Sequence, residues 1–339
     1  MASLKIERAK AALKNAFIGD ALAMPVHWFY NPADIYKAFP LGIEQFEDAP
    51  TFHPSSIMSL HSTQQGGRAN KASASQKEIV GEVILKGKRQ YWGKDNVHYH
   101  QGMKAGENTL NAHCARIVLI CALKGYDANE FLNQYINFMR ADEPKHSDTY
   151  AESYHRGFFA NLEQGIPAEK CGAVTHDTAS IGAFVSVTPL AIVEAAKNTA
   201  LNEIQQLCRK HLYLTHPDES LASVCDVYVE LIYKLAHREH ESPKDILDEV
   251  ARNSAGLNLS SLMAKNKTYS FYETTKVFFK KLTQEEIEYY VDNYKPFDKA
   301  GSYGIQEWIG FVGIPKIEGD YFNVVGLPLN RLSEELRKF

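Results

Sequence analysis

Apolar side chains recur at Leu4, Ile6, Ala9, Leu13, Phe17 and Leu22, the three-to-four spacing of one helical face. The pattern predicts an amphipathic helix over 4–23 that stops near Pro25. Further helical patterns cover 109–122, 126–139, 150–162, 181–196 and 219–235. Asp177 and Thr178 are expected to open the 181–196 helix and Pro189 to kink it. Thr215 is expected to cap the 219–235 helix, with Pro217 in its first turn. Residues 30–70 read as a polar connection with prolines at 32, 40, 50 and 54. Past Lys265–Lys267 the pattern changes. Tyr269–Phe279 is aromatic and β-branched, as in a strand. Thr283 and Glu286 have capping-box spacing ahead of a helix over 285–293. Glycines at 301, 304, 310, 313, 319 and 326 then punctuate strands and turns, and a last helix is expected over 332–338. The fold class expected is mainly α: an all-α domain over 1–265, lacking its last helices, then a small α/β segment over 266–339.

Composition narrows the compartment and partners. A hydrophobic content of 45% supplies a full core, and a net charge of −4 gives no basic surplus to favour nucleic acid. No apolar run has the length of a membrane span, and the first residues lack the apolar centre of a signal peptide. The five cysteines, at 114, 121, 171, 208 and 225, form no Cys-x-x-Cys pair. Reduced, buried thiols in a cytoplasmic protein are expected.

Candidate chemistry collects at loop-to-helix junctions. Glu107, Asn108 and Thr109 place a carboxylate, an amide oxygen and a hydroxyl at the start of the 109–122 helix. All three are hard oxygen donors of the kind Mg²⁺ accepts, and a helix tip favours negative charge. The same residues also suit plain helix capping. Arg68, after Gly66-Gly67, is placed to hold an anion or lies on a solvated connection. His216 faces a pocket or is a satisfied structural group.

Ordered motifs give these residues a family context. Gly19-Asp20-Ala-Leu-Ala-Met-Pro25, Gly106-Glu-Asn-Thr-Leu-Asn-Ala112, Ser180 to Leu190 and Thr215-His-Pro-Asp218 resemble the ADP-ribosylglycohydrolase family. Residues 53–61, 105–112 and 175–178 resemble its J1-crystallin and selenoprotein J branch. The resemblance covers about residues 5–265. It implies an all-α fold, Mg²⁺ in a cleft and hydrolysis of the glycosidic bond of free or protein-linked ADP-ribose. Glu107 and Asp20 would then be catalytic, with Glu107, Asn108 and Thr109 at the metal. His27, Arg68, Asp177, Thr178 and His216 would bind substrate.

The departures from that family weaken its metal site. Gly106-Glu107-Asn108-Thr109 stands where the family has Thr-Asp-Asp-Thr, His27 replaces a frequent glutamate, and the late Asp-x-Asp-Thr motif is missing after residue 235. Two divalent cations about 3.5–4 Å apart need nearby negative charge. The expected Mg²⁺ content is therefore one ion or none. The alternative on the same fold is a non-enzymatic, crystallin-like protein.

The last segment resembles another family. Thr274-Thr-Lys-Val277, Lys299-Ala-Gly-Ser-Tyr-Gly-Ile-Gln306 and Ile317 to Leu329 are similar to the C-terminal half of Maf-type nucleoside triphosphate pyrophosphatases. Gln306 matches a residue of that family's nucleotide site. The N-terminal half, with its Ser-Arg-Arg phosphate motif, lysine and Asp-Thr base, has no counterpart here beyond the superficial Lys71-Ala-Ser-Ala-Ser75. A further expectation is a pyrophosphatase completed by another chain.

Overall fold

The computed structural model describes residues 4–29, 31–58, 77–174, 180–255, 273–296, 303–325 and 331. The chain forms two compact units, Met1–Glu241 and Ser242–Phe339. It is mainly helical, as the patterning predicts. The sequence change near 265 lies outside the described residues.

In the first unit, α1 spans Leu4–Ala23 and α2 spans Pro32–Ala38. Then come α3 (Leu110–Lys124), α4 (Ala128–Met139), α5 (Ser153–Glu163), α6 (Phe184–Ala196), α7 (Leu201–Tyr213) and α8 (Glu219–His237). Helix α6 is the central element, packed against α1, α3, α7 and α8. Val187, Leu190, Ala191 and Ala195 on it are fully buried, as are Val118 and Ala122 of α3. A helix apolar on nearly every side has to be surrounded in this way. All five cysteines are free and buried, as expected.

Three local details refine the pattern. Helix α6 starts at Phe184, after a single tight turn over Ile181–Ala183, while Asp177 and Thr178 lie outside the described residues. The cap of α8 is Asp218, whose Oδ1 accepts the Leu221 N–H at 2.7 Å. Thr215 instead pairs its hydroxyl with His216 Nδ1 at 2.9 Å. Helix α1 buries only Ala21, leaving Leu4, Ile6 and Ile18 at least 40% exposed. Its Leu13, Phe17 and Asp20 border a cavity.

The second unit holds α9 (Pro243–Ala255), α10 (Gln284–Tyr294), α11 (Trp308–Gly313) and α12 (Tyr321–Val325). Strands β1 (Lys276–Phe278) and β2 (Lys316–Glu318) pair antiparallel, with Val277 opposite Ile317. Both halves of the expected capping box form: Glu286 N–H donates to Thr283 Oγ1 and Thr283 N–H to Glu286 Oε2. The helix expected over 332–338 lies outside the described residues. Among the described residues no helix is long and apolar enough to cross a membrane.

Candidate active site

The first turn of α3 has free N–H groups, and two carboxylates from elsewhere in the first unit meet them. Asp20 accepts the Thr109 N–H at 2.8 Å, the Thr109 hydroxyl at 2.6 Å and an Asn108 amide hydrogen at 3.0 Å. Asp148 accepts the Leu110 N–H at 2.7 Å. The Thr109 side chain therefore does not cap its own helix. Asn108 also donates to the Phe17 carbonyl, and its oxygen accepts from Arg116 at 3.2 Å. Glu107 accepts the Lys104 N–H and the Ser147 hydroxyl, each at 2.7 Å. Glu107 Oε2, the Asn108 amide and the Thr109 hydroxyl are thus all engaged by protein partners. Among the described residues no group of three His, Cys, Asp or Glu side chains converges to hold a metal.

Beside this tip opens a cavity of about 630 Å³ in the first unit. Asp20, His27 and Thr109, all singled out in the sequence, line it, and Glu107, Asn108 and His216 do not. His216 is 2% exposed and packs its ring 4.3 Å from that of Tyr154. Arg68, Asp177 and Thr178 lie outside the described residues.

Sequence reasoning missed His100, Asp148, Asn111 and Glu152, which also border the cavity. Asp148 Oδ1 lies 2.8 Å from His100 Nδ1, and His100 Nε2 lies 2.8 Å from His27 Nδ1. Burial alone would raise the Asp148 pKa. The His100 ring and the N–H groups of Leu110 and Tyr150 outweigh it and hold the carboxyl at about 2. Burial, then the neighbouring His100, push His27 down to about 3. His100 thus bridges the two, with Nδ1 toward the Asp148 carboxylate and Nε2 sharing a hydrogen bond with His27 Nδ1. His53 and His98 are different. Each gives its Nε2–H to a backbone carbonyl, of His27 and Pro25, and accepts an N–H at Nδ1.

A second network fixes Glu152. Its carboxylate accepts from the Asn111 amide, and Asn111 Oδ1 accepts from Tyr154 at 3.1 Å and His155 Nε2 at 3.0 Å. His155 Nδ1 in turn meets the Tyr135 hydroxyl at 2.6 Å. The visible sequence signals for the missed set are His98-Tyr-His100 ahead of α3 and Asp148 in the polar turn between α4 and α5.

In the second unit, Gln306 is exposed beside a turn held by the Tyr290 hydroxyl. That hydroxyl accepts the Gly304 N–H at 2.9 Å and donates to Glu307. Thr275 ties β1 to the start of α12: its Oγ1 donates to the Asp320 carbonyl and accepts from Asp320 N–H and Asn323. These segments are the ones that carry the pyrophosphatase resemblance.

The comparisons with known proteins give the class of the C-terminal part. Residues 186–339 match the family described as Maf-like protein. A dTTP/UTP pyrophosphatase of Christiangramia forsetii is 38% identical over 149 residues, 43% of this chain and 76% of the relative. One from Cytophaga hutchinsonii is 50% identical over 99 residues, 29% of this chain and 45% of the relative. One from Flavobacterium psychrophilum is 63% identical over 68 residues, 20% of this chain and 35% of the relative. The chain belongs to the Maf-like family. It spans less than half the length of the Cytophaga and Flavobacterium relatives. No solved structure matches. The glycohydrolase resemblance of residues 5–265 finds no support in these comparisons.

Proposed function

We propose that the chain takes part in nucleoside triphosphate pyrophosphatase chemistry, releasing pyrophosphate from a pyrimidine nucleotide such as dTTP or UTP. The observation that carries this reading is the 63% identity over 68 residues to a protein named dTTP/UTP pyrophosphatase. Gln306, exposed beside the Gly304 turn, is the group offered to the nucleotide. The phosphate-binding and base residues that the resemblance requires come from another chain, so the active form is an assembly. Light scattering and a pyrophosphate-release assay on the full chain test this. Turnover of dTTP and UTP by an assembly larger than one chain, reduced at least tenfold in Gln306→Ala, is the expected result. A monomer that hydrolyses neither nucleotide rejects it. ADP-ribose with and without Mg²⁺ is the control for the glycohydrolase alternative. Binding of neither favours the crystallin-like role for the helical unit.

A further inference from the structure

The cavity of the helical unit carries a charge that the nucleotide reading does not use. Asp20, Asp148 and Glu152 all line it, and among the described lining residues there is no Lys or Arg. Asp148 is 1% exposed and lies against the His100 ring, so its charge is met within the wall. Burial keeps the other lining imidazole, His27, neutral. Among the described residues Asp20 accepts from neutral donors, the N–H and hydroxyl of Thr109 and the Asn108 amide. Glu152 accepts from the Asn111 amide. The positive end of α3 amounts to about half a charge. Three carboxylates set against one imidazole and that helix end leave the described lining net negative, even with His100 protonated.

Much of the remaining wall is flat and aromatic. Phe184 and Tyr228 stack with centroids 5.1 Å apart and planes 8° from parallel. The Tyr228 hydroxyl is tied to Thr188 at 2.6 Å, which fixes that ring. Trp28 takes a φ of 58°, a conformation that bulky side chains seldom adopt. Its ring is held there by His100, stacked at 5.8 Å, and by Tyr99 and Tyr150 in edge contacts at 4.7 and 5.1 Å. Aromatic faces attract cations, most strongly where water is excluded. Phe17 already does so from outside the lining, with the Arg116 guanidinium 5.4 Å from its ring centre. An anion would be repelled by these walls, and a bare metal ion would gain little from the rings. The volume of about 630 Å³ is that of a small-molecule site.

We propose that this cavity binds a small organic ammonium ion that carries a flat ring, an arylalkylammonium. Asp20 and Glu152 are bonded to Thr109 and Asn111, both in the first turn of α3, so the two carboxylates stand at the same end of the cavity. The ammonium group donates its N–H groups there. The ring of the ligand lies against Trp28 and the Phe184–Tyr228 pair. Charge and flat surface thus select together. A neutral ligand of the same shape forfeits the carboxylates, and a metal ion forfeits the rings. No bond is made or broken, and the inference is independent of the nucleotide reading, which concerns the second unit.

Isothermal titration of the full chain with three probes of similar shape tests this: phenethylammonium, phenethyl alcohol and hydrocinnamate. The cation should bind with a Kd on the order of 0.1 mM, the alcohol about tenfold or more weakly, and the carboxylate not at all. This charge series uses the unmodified protein and needs no variant to fold. Glu152→Gln keeps the size of the side chain and removes its charge, and should weaken the cation about tenfold while leaving the alcohol unchanged. Tyr228→Leu removes one ring of the stacked pair and should weaken both. Equal affinity for cation and alcohol, binding of the carboxylate, no binding of the cation, displacement of the cation by equimolar Mg²⁺, or a folded Glu152→Gln protein that binds the cation undiminished would each overturn the proposal.

Discussion

Asp20 closes the start of α3 from 89 residues earlier in the chain, with Oδ2 2.8 Å from the Thr109 N–H and Oδ1 2.6 Å from its hydroxyl. The cap that a local side chain ordinarily supplies is provided here by the end of another helix. One carboxylate thus satisfies a helix terminus and joins α1 to α3.

Removing it should loosen both. Asp20→Ala is expected to cost about 1–2 kcal/mol, the range for a lost N-cap. Thr109→Val removes one of the same contacts and should cost less. The two costs should fall short of additive in the double variant, because the groups share a bond. Urea midpoints at constant slope measure this, and strict additivity would show that the two residues act separately.

Buried histidines make the helical unit sensitive to acid. Burial lowers His27, His98 and His211 to about 3, and His146 and His216 to about 4. In the unfolded chain each takes its proton near pH 6.5. Between those values the unfolded chain binds more protons, so stability is full above 6.5 and falls as pH drops toward 3–4. At pH 5.5 each ring costs on the order of 1 kcal/mol, and five together approach the whole stability of a domain. Asp148 adds its own loss only later, between 3.8 and about 2. Circular dichroism from pH 7.5 to 4.5 should show unfolding near pH 5. A signal unchanged to pH 4.5 would contradict the buried, neutral assignment.

Thiol chemistry offers an independent check on the core. All five cysteines are buried, and burial pushes the thiols of Cys171 and Cys225 up to about 11 and 12. Thiolates are the reactive form, so the folded chain should be nearly inert to Ellman's reagent at pH 8. Five equivalents should react in guanidinium. Fast labelling without denaturant would mean that the core opens readily.

In the second unit, Thr283→Ala breaks one half of the capping box of α10 and should cost about 1 kcal/mol there. Hydrogen exchange separates the units: amides of 284–294 should lose protection while those of 110–124 keep theirs. Equal loss in both would mean that the two units unfold together.

Helix positions were legible wherever period alone decides them, as for α1, α3 and the capping box at Thr283. Ends were less so. Thr215 and Asp218 are both good caps by type, and only the turn between them shows that Asp218 meets the Leu221 N–H. The exposure of Leu4, Ile6 and Ile18 on α1 was not legible, because a helical stripe does not say whether it faces a packed neighbour or an open cleft. For the site, Asp20, His27 and Thr109 could be found from short motifs. The His100–Asp148 pair spans 48 residues, and its meaning depends on a ring orientation that no local pattern encodes. Glu107 shows the converse. Its position at a helix tip was legible, but not that its Oε2 accepts from the Lys104 N–H and the Ser147 hydroxyl.

The ribbon of β1 and β2 has three residues in each strand, far below what holds together unaided in water. It persists because its ends are fastened outside the ladder. Lys280 N–H reaches the Gly313 carbonyl at the end of α11, and Thr275 clasps Asp320 at the start of α12. Order in this unit therefore flows from helices to strands. Fraying of α11 would release the ribbon, whereas trimming the ribbon would leave the α10 cap intact.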